Sequence, residues 1–100
     1  MPIPVTPPRN HIRLALRTIR KACGLSQEAF ALISSRTYVS TLERGLKSPT
    51  LNKIDELAEV MQIHPLTLLV LAYAEPGHPD ECQKLMNQVT SELSRLTITD

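Results

Sequence analysis

Ten consecutive residues, from Arg36 to Gly45, hold the side chains of this chain best suited to binding a charged ligand. On a helix, their polar and basic members fall at positions i, i+1, i+4, i+5 and i+8, which share one face. That stripe is formed by Arg36, Thr37, Ser40, Thr41 and Arg44. Arginine can bind guanine with two hydrogen bonds, and threonine or serine can bond base edges or phosphates. The pattern fits the major groove of DNA, although a solvated helix face would look the same.

Charge is divided unequally between the two halves of the chain. Residues 1–53 contain nine basic and two acidic residues, a formal charge of +7, whereas residues 54–100 contain two basic and eight acidic residues, a charge of −6. The net charge of +1 hides this difference. A basic first half indicates a surface that faces a polyanion, and the acidic half must face away from it or contact another protein.

The remaining composition bounds the kind of protein. One hundred residues allow one small domain, and a chain with one Phe and no Trp must have an aliphatic core. The prolines near Met1 accompany no apolar run, so we expect neither a signal peptide nor a membrane span. Two separated cysteines, Cys23 and Cys82, suit the reducing cytoplasm.

Chemistry of other kinds finds little support in the sequence. The three histidines are scattered and the cysteines lack the spacing of metal ligands, so we expect no metal and no cofactor. There is no glycine-rich phosphate loop, nucleophile motif or plausible pair of carboxylates, and an enzyme is therefore the remotest interpretation.

The spacing of apolar residues predicts an all-α chain. A first helix is expected from Asn10 to Ala22, and Gly24 ends it in a left-handed conformation. Ser26 is the predicted N-cap of the second helix, the polar stripe lies on the third, and Thr50 caps a fourth that ends near Met61. A fifth helix, opened by Pro65, is apolar nearly all round and must be covered on both sides.

A last helix is expected from about Asp80 to Leu96. Its apolar residues are spaced 4-3-4-3, which is the seam of a short coiled coil. We predict that three of them form a dimer interface, namely Met86, Val89 and Leu93. The same seam could instead pack within one subunit.

Residues Ile19 to Leu69 resemble the phage-repressor (Cro or Xre-type) helix-turn-helix family. The similarity rests on several motifs in family order: Gly24-Leu25-Ser26-Gln27-Glu28, Arg36-Thr37-Tyr38-Val39-Ser40, Leu42-Glu43-Arg44-Gly45 and Ser48-Pro49-Thr50. The resemblance implies five helices, of which the second and third form the helix-turn-helix. The predicted organisation is then a proline-rich arm at 1–8, a helix-turn-helix DNA-binding domain at 9–75 and a C-terminal helix at 76–100 for dimerisation.

The resemblance also assigns roles to individual residues. It implies that three residues of the third helix read bases: Arg36, Thr37 and Thr41. It implies contacts to the DNA backbone from Gln27, Ser40, Arg44 and Lys47, with Tyr38 either joining them or packing at the helix edge. Arg20 and Glu43 match a structural ion pair between the first and third helices, so Arg20 is not expected to contact DNA.

This sequence departs from the family pattern at one place. The family has two more residues between the second helix and the recognition helix than the segment Ala31–Ser35 provides. We therefore expect either a shorter turn or a second helix that loses half a turn.

The expected function is that of a sequence-specific transcriptional regulator. We expect a homodimer that binds double-stranded DNA at a near-palindromic operator, with repression as the principal activity and an activating or controller role left open. The alternative is an antitoxin or another interaction module whose acidic C-terminal half binds a partner protein. A short toxin-like reading frame beside the gene would favour that alternative.

Overall fold

The computed structural model describes residues 10–33, 36–75, 78 and 80–97. These residues form five α-helices and one short 3-10 helix, and no strand occurs among them. The helices are α1 (Ile12–Ala22), α2 (Arg36–Glu43), α3 (Leu51–Met61), α4 (Pro65–Tyr73) and α5 (Asp80–Thr97), with the 3-10 helix (Gln27–Phe30) between α1 and α2. The predicted all-α fold is confirmed, while the predicted arm lies outside the described residues.

Helix α1 begins two residues later than predicted. His11 is the N-cap of α1, and the side chain of Asn10 before it accepts a hydrogen bond from the backbone N–H of Ile12 at 3.2 Å. The backbone N–H of His11 donates to the carbonyl of Ala72, which ties the start of α1 to the end of α4. Gly24 follows α1 with φ of 71°, the left-handed stop that the sequence predicts.

The predicted second helix is a single 3-10 turn followed by an irregular turn at 31–33. Its hydrogen bonds run from each N–H to the carbonyl three residues earlier, as from Ala31 to Glu28 at 3.0 Å. Ser26 occupies the predicted N-cap position with extended backbone, but its side chain makes no capping hydrogen bond. The short element accommodates the two missing residues, because only Phe30 must reach the core, where it is fully buried.

Helices α3 and α4 are capped by side chains. The hydroxyl of Thr50 accepts from the N–H of Lys53 at 3.2 Å, as the sequence predicts. His64 caps α4 by accepting from the N–H of Leu66 at 3.0 Å, and Pro65 occupies the first turn. Helix α3 ends at Gln62 in the left-handed region, with φ of 58°, a position that more often carries glycine.

One aliphatic core joins the helices that precede α5. It consists of Ala15, Leu16, Phe30, Val39, Leu42, Ile54, Leu57, Met61, Leu68 and Ala72. Helix α4 lies across α1 and α3, and its outer side contacts α5. No described residue of α5 is buried, so this helix rests on the domain without entering its core.

Candidate nucleic-acid interface

Helix α2 carries the polar stripe and is fixed to the core by its opposite side. Val39 and Leu42 are 0% and 1% exposed and fill the space between α1 and the 3-10 helix. Thr37 is exposed and Ser40 is half-buried on the other side, and Arg36 is the first residue of the helix. With eight residues the helix is about 12 Å long. That length matches the width of the DNA major groove, which is about 12 Å.

Thr41, predicted to read a base, has a hydroxyl that is already engaged. Its Oγ1 donates to the carbonyl oxygen of Thr37, one turn earlier, at 2.7 Å. A hydroxyl that donates to the backbone keeps its lone pairs and can only accept a further hydrogen bond. In this geometry Thr41 suits an amino group of adenine or cytosine and does not suit a guanine or thymine oxygen.

A bidentate ion pair locks the end of α2 to α1. Arg20 donates from Nε to Oε2 of Glu43 at 2.6 Å and from Nη2 to Oε1 at 2.9 Å. Its remaining Nη1 donates to the carbonyl of Leu25 at 2.9 Å. The two side chains are 10% and 5% exposed. The geometry matches the structural ion pair that the resemblance implies and leaves Arg20 buried beneath the surface.

Arg20 adds no pH dependence to the stability of the fold near neutrality. Its hydrogen bonds to Glu43 raise the pKa of Arg20 above its ordinary value, with help from the opposite charge and against the effect of burial. A cation whose pKa is raised on folding stabilises the fold at every pH below its unfolded pKa. For an arginine that range includes all ordinary buffers.

Gln27, predicted to contact a phosphate, is turned towards this ion pair. Its Nε2 donates to Oε1 of Glu43 at 3.2 Å, and the residue is half-buried. The side chain therefore helps to hold the 3-10 helix against the end of α2. An amide nitrogen has two protons, so one remains for a phosphate oxygen.

Lys53 closes the shortened turn, a role that the sequence analysis missed. From α3 its Nζ donates to the carbonyl of Ile33 at 2.9 Å and lies 3.1 Å from Oε2 of Glu56. The same ammonium lies 5.5 Å from the centre of the Tyr38 ring, which packs against the core. The charge count of the sequence analysis grouped Lys53 with the cations that face a polyanion. Only its position beside the carbonyl of Ile33 shows that Lys53 stabilises the fold.

Several basic side chains of the first half of the chain remain exposed at the surface. Five described cations of the first half are exposed, namely Arg13, Arg17, Lys21, Arg44 and Lys47. None of them has an ion-pair partner among the described residues. Three of them lie near the end of α2: Arg44 follows the helix, Lys47 is in the next loop, and the side chain of Arg13 lies beside Gly45. Positive charge therefore lies at one end of a groove-sized helix, where it can bind DNA phosphates.

Comparison with known proteins also indicates a DNA-binding protein. Residues 16–68 match the helix-turn-helix family model, which is more than half of the chain. The chain belongs to the Cro/Xre-type helix-turn-helix family. It is therefore a DNA-binding transcriptional regulator.

A solved structure supports this membership. The chain is similar to the restriction-modification controller protein C.AhdI from Aeromonas hydrophila, with 38% sequence identity and a TM-score of 0.55. The similarity covers 58% of this chain and 91% of that one. No protein of curated function matches the chain significantly.

Helix α5 lies wholly outside the range matched by the helix-turn-helix family. The family match ends at residue 68, twelve residues before α5 begins. The three residues predicted for a dimer interface, Met86, Val89 and Leu93, are 50%, 43% and 54% exposed. Leu66 and Tyr73 on α4 are also more than half exposed. The outer side of α4 and α5 is therefore an apolar surface that one copy leaves open to solvent.

Two grooves run along the line where α5 rests on α4. One has a volume of about 430 Å³ and is lined by Leu66, Leu69, Val70, Tyr73, Leu85, Met86, Val89 and Thr90. The other, of about 500 Å³, is lined by Ile19, His64, Leu66, Thr67, Val70, Leu71, Cys82 and Met86. Both are dominated by apolar side chains. In the described residues we find no helix able to cross a membrane and no cluster of His, Cys, Asp and Glu that could hold a metal ion.

Proposed function

We propose that the protein is a homodimeric, sequence-specific repressor that binds a near-palindromic operator. The observation that carries this proposal is the presentation of α2. Thr37 is exposed and Ser40 and Thr41 are half-buried on one side, while Val39, Leu42 and the Arg20–Glu43 pair fix the opposite side. A helix held this firmly can enter the major groove without losing orientation.

Base reading is assigned to polar residues of the α2 stripe. Arg36 at the helix start reads a guanine, Thr37 reads an adjacent base, and Thr41 accepts from an amino group, since its proton is bonded to Thr37. Ser40, Arg44 and Lys47 contact phosphates. Gln27 gives its second amide proton to a phosphate, and the Tyr38 hydroxyl contacts the backbone from the edge of the helix.

Dimerisation is assigned to the apolar surface of α4 and α5. A second copy of the chain would cover Met86, Val89 and Leu93 and supply the second recognition helix. Two such helices must lie about 34 Å apart to reach successive major grooves on one side of the duplex. Repression follows from occupancy, because a small domain bound across a promoter excludes other proteins.

A narrower candidate is control of restriction–modification genes. It is favoured by the 38% identity to the controller protein, which is covered over 91% of its length. A different candidate is favoured by the acidic and apolar C-terminal region. This region could bind a partner protein of another sequence, as in an antitoxin.

Selection of bound sites from random duplex DNA tests the proposal. We expect an inverted repeat whose half-sites are about one helical turn apart, and we expect sedimentation to show a dimer at micromolar concentration without DNA. A single half-site without symmetry, together with a monomeric protein, would rule out the homodimer. Genomic matches to the selected repeat upstream of methyltransferase or endonuclease genes would support the controller role, and the absence of such matches there would contradict it.

A further inference from the structure

A concave groove lies between the start of α1 and the loop that follows α2. It has a volume of about 320 Å³ and is lined chiefly by Asn10, His11, Arg13, Gly45, Lys47 and Ser48. Two exposed cations, Arg13 and Lys47, come from opposite walls, and no acidic side chain is among its lining residues. The first turn of α1 also contains no acidic residue.

The position of Arg13 depends on the absence of a side chain at Gly45. A Cβ added to Gly45 would lie 2.9 Å from Cδ of Arg13 and 3.5 Å from its Nε. The stem of Arg13 therefore crosses directly over the loop backbone. Gly45 has a φ of 76°, which glycine adopts without strain, so one residue both ends α2 and admits the arginine.

We propose that Arg13 and Lys47 together bind one phosphodiester group of the DNA whose bases α2 reads. The inference rests on the proposed function and adds Arg13 of α1 as a DNA contact. Helix α2 is about as long as the major groove is wide, so a helix whose first residues read bases places its last residues at the phosphate wall. The protein groove between α1 and the loop lies at this same end of α2, directly after Arg44 and at Gly45.

The arrangement suits a phosphate for chemical reasons. A guanidinium offers a planar set of donors to two phosphate oxygens, and an ammonium adds a compact charge from the other side. Neither cation has an ion-pair partner among the described residues, so binding breaks no existing pair. A phosphate contact carries no base information, so Arg13 would increase affinity equally for all sequences.

The test measures how DNA affinity depends on salt for wild type and a set of variants on one selected duplex. The variants are Arg13→Ala, Lys47→Ala, the double variant of these two and the control Arg17→Ala, which removes the same charge from an exposed position one turn along α1. Each phosphate contact contributes about 0.9 to the slope of log K against log salt. We expect the double variant Arg13→Ala/Lys47→Ala to lower that slope by about 0.9 for every bound copy, because the two cations share one phosphate. Each single variant should lower the slope by part of that amount, with base preference unchanged. Arg17→Ala should keep the wild-type slope, and Arg13→Lys should restore most of it.

The outcomes separate this inference from the function on which it rests. If wild type does not bind duplex DNA, the proposed function fails and this inference fails with it. If wild type binds and Arg13→Ala keeps the full slope, only the phosphate site is wrong. An equal loss of slope in Arg17→Ala would also overturn the site, because the effect would then reflect general charge. Thermal melting of each variant shows whether a loss of binding comes from unfolding.

Discussion

Helices α2 and α5 are held to the rest of the chain in opposite ways. Helix α2 has fully buried apolar residues and an ion pair that is at most 10% exposed at either side chain. Helix α5 is more than twice as long, but none of its residues is buried and it packs chiefly on α4. One chain is therefore enough to fix the orientation of α2, whereas the apolar side of α5 stays exposed in a single chain.

Removing Arg20 is expected to have the largest effect on stability. Arg20→Ala leaves the carboxylate of Glu43 buried without its cation, and breaking a buried pair in this way costs about 3–5 kcal/mol. Thermal melting should show this loss. Arg17→Ala removes an exposed arginine from the same helix and is the matched control. Its free energy of unfolding should lie within about 0.5 kcal/mol of that of wild type. Equal melting of the two variants would show that the pair does not secure α2.

Adding charge to α5 tests the other region. Val89→Glu places a carboxylate on the apolar surface and should convert the dimer to a folded, helical monomer. Loss of the second half-site should weaken operator binding by about 100-fold or more. Ser91→Glu adds the same charge on the opposite side of α5 and should remain dimeric. Sedimentation decides the matter, and a dimeric Val89→Glu protein with full operator affinity would locate the interface elsewhere.

Base reading by α2 is the third expectation. Arg36→Ala should cost about 1–3 kcal/mol of binding and relax the preference at one base pair in each half-site. Arg95→Ala removes the same side chain from an exposed position on α5 and should alter neither quantity. Repeating the site selection with both variants provides the measurement. Unchanged base preference in Arg36→Ala would exclude Arg36 as a reader.

The smallest expected effect concerns the shortened turn. Lys53→Met removes the hydrogen bond to the carbonyl of Ile33 together with the contact to the Tyr38 ring, for a loss of about 1 kcal/mol. Lys84→Met is a close control, because Lys84 on α5 also pairs with a glutamate three residues away but bonds no backbone carbonyl. Chemical denaturation of both should show the larger loss for Lys53→Met. Equal losses of stability would mean that the turn does not need the hydrogen bond from Lys53.

Local patterns were enough to predict much of the molecule. The left-handed Gly24, the cap by Thr50 and Pro65 in the first turn of α4 all depend on residues close in sequence. The Arg20–Glu43 pair is a contact across 23 residues, and it was predicted only because the motif resembles a known family.

Other features required the packed structure, because they join residues whose separation in sequence gives no periodic signal. Lys53 reaches a carbonyl 20 residues away, and Gln27 turns to a carboxylate 16 residues away. Arg13 lies over Gly45 only because α1 and the loop after α2 meet in the fold. The sequence by itself determined the helices, the family and the chemistry of the recognition stripe. Apart from Arg20, only the tertiary structure decided which cations face outward and which support the fold, since a charge has the same sequence letter in either role.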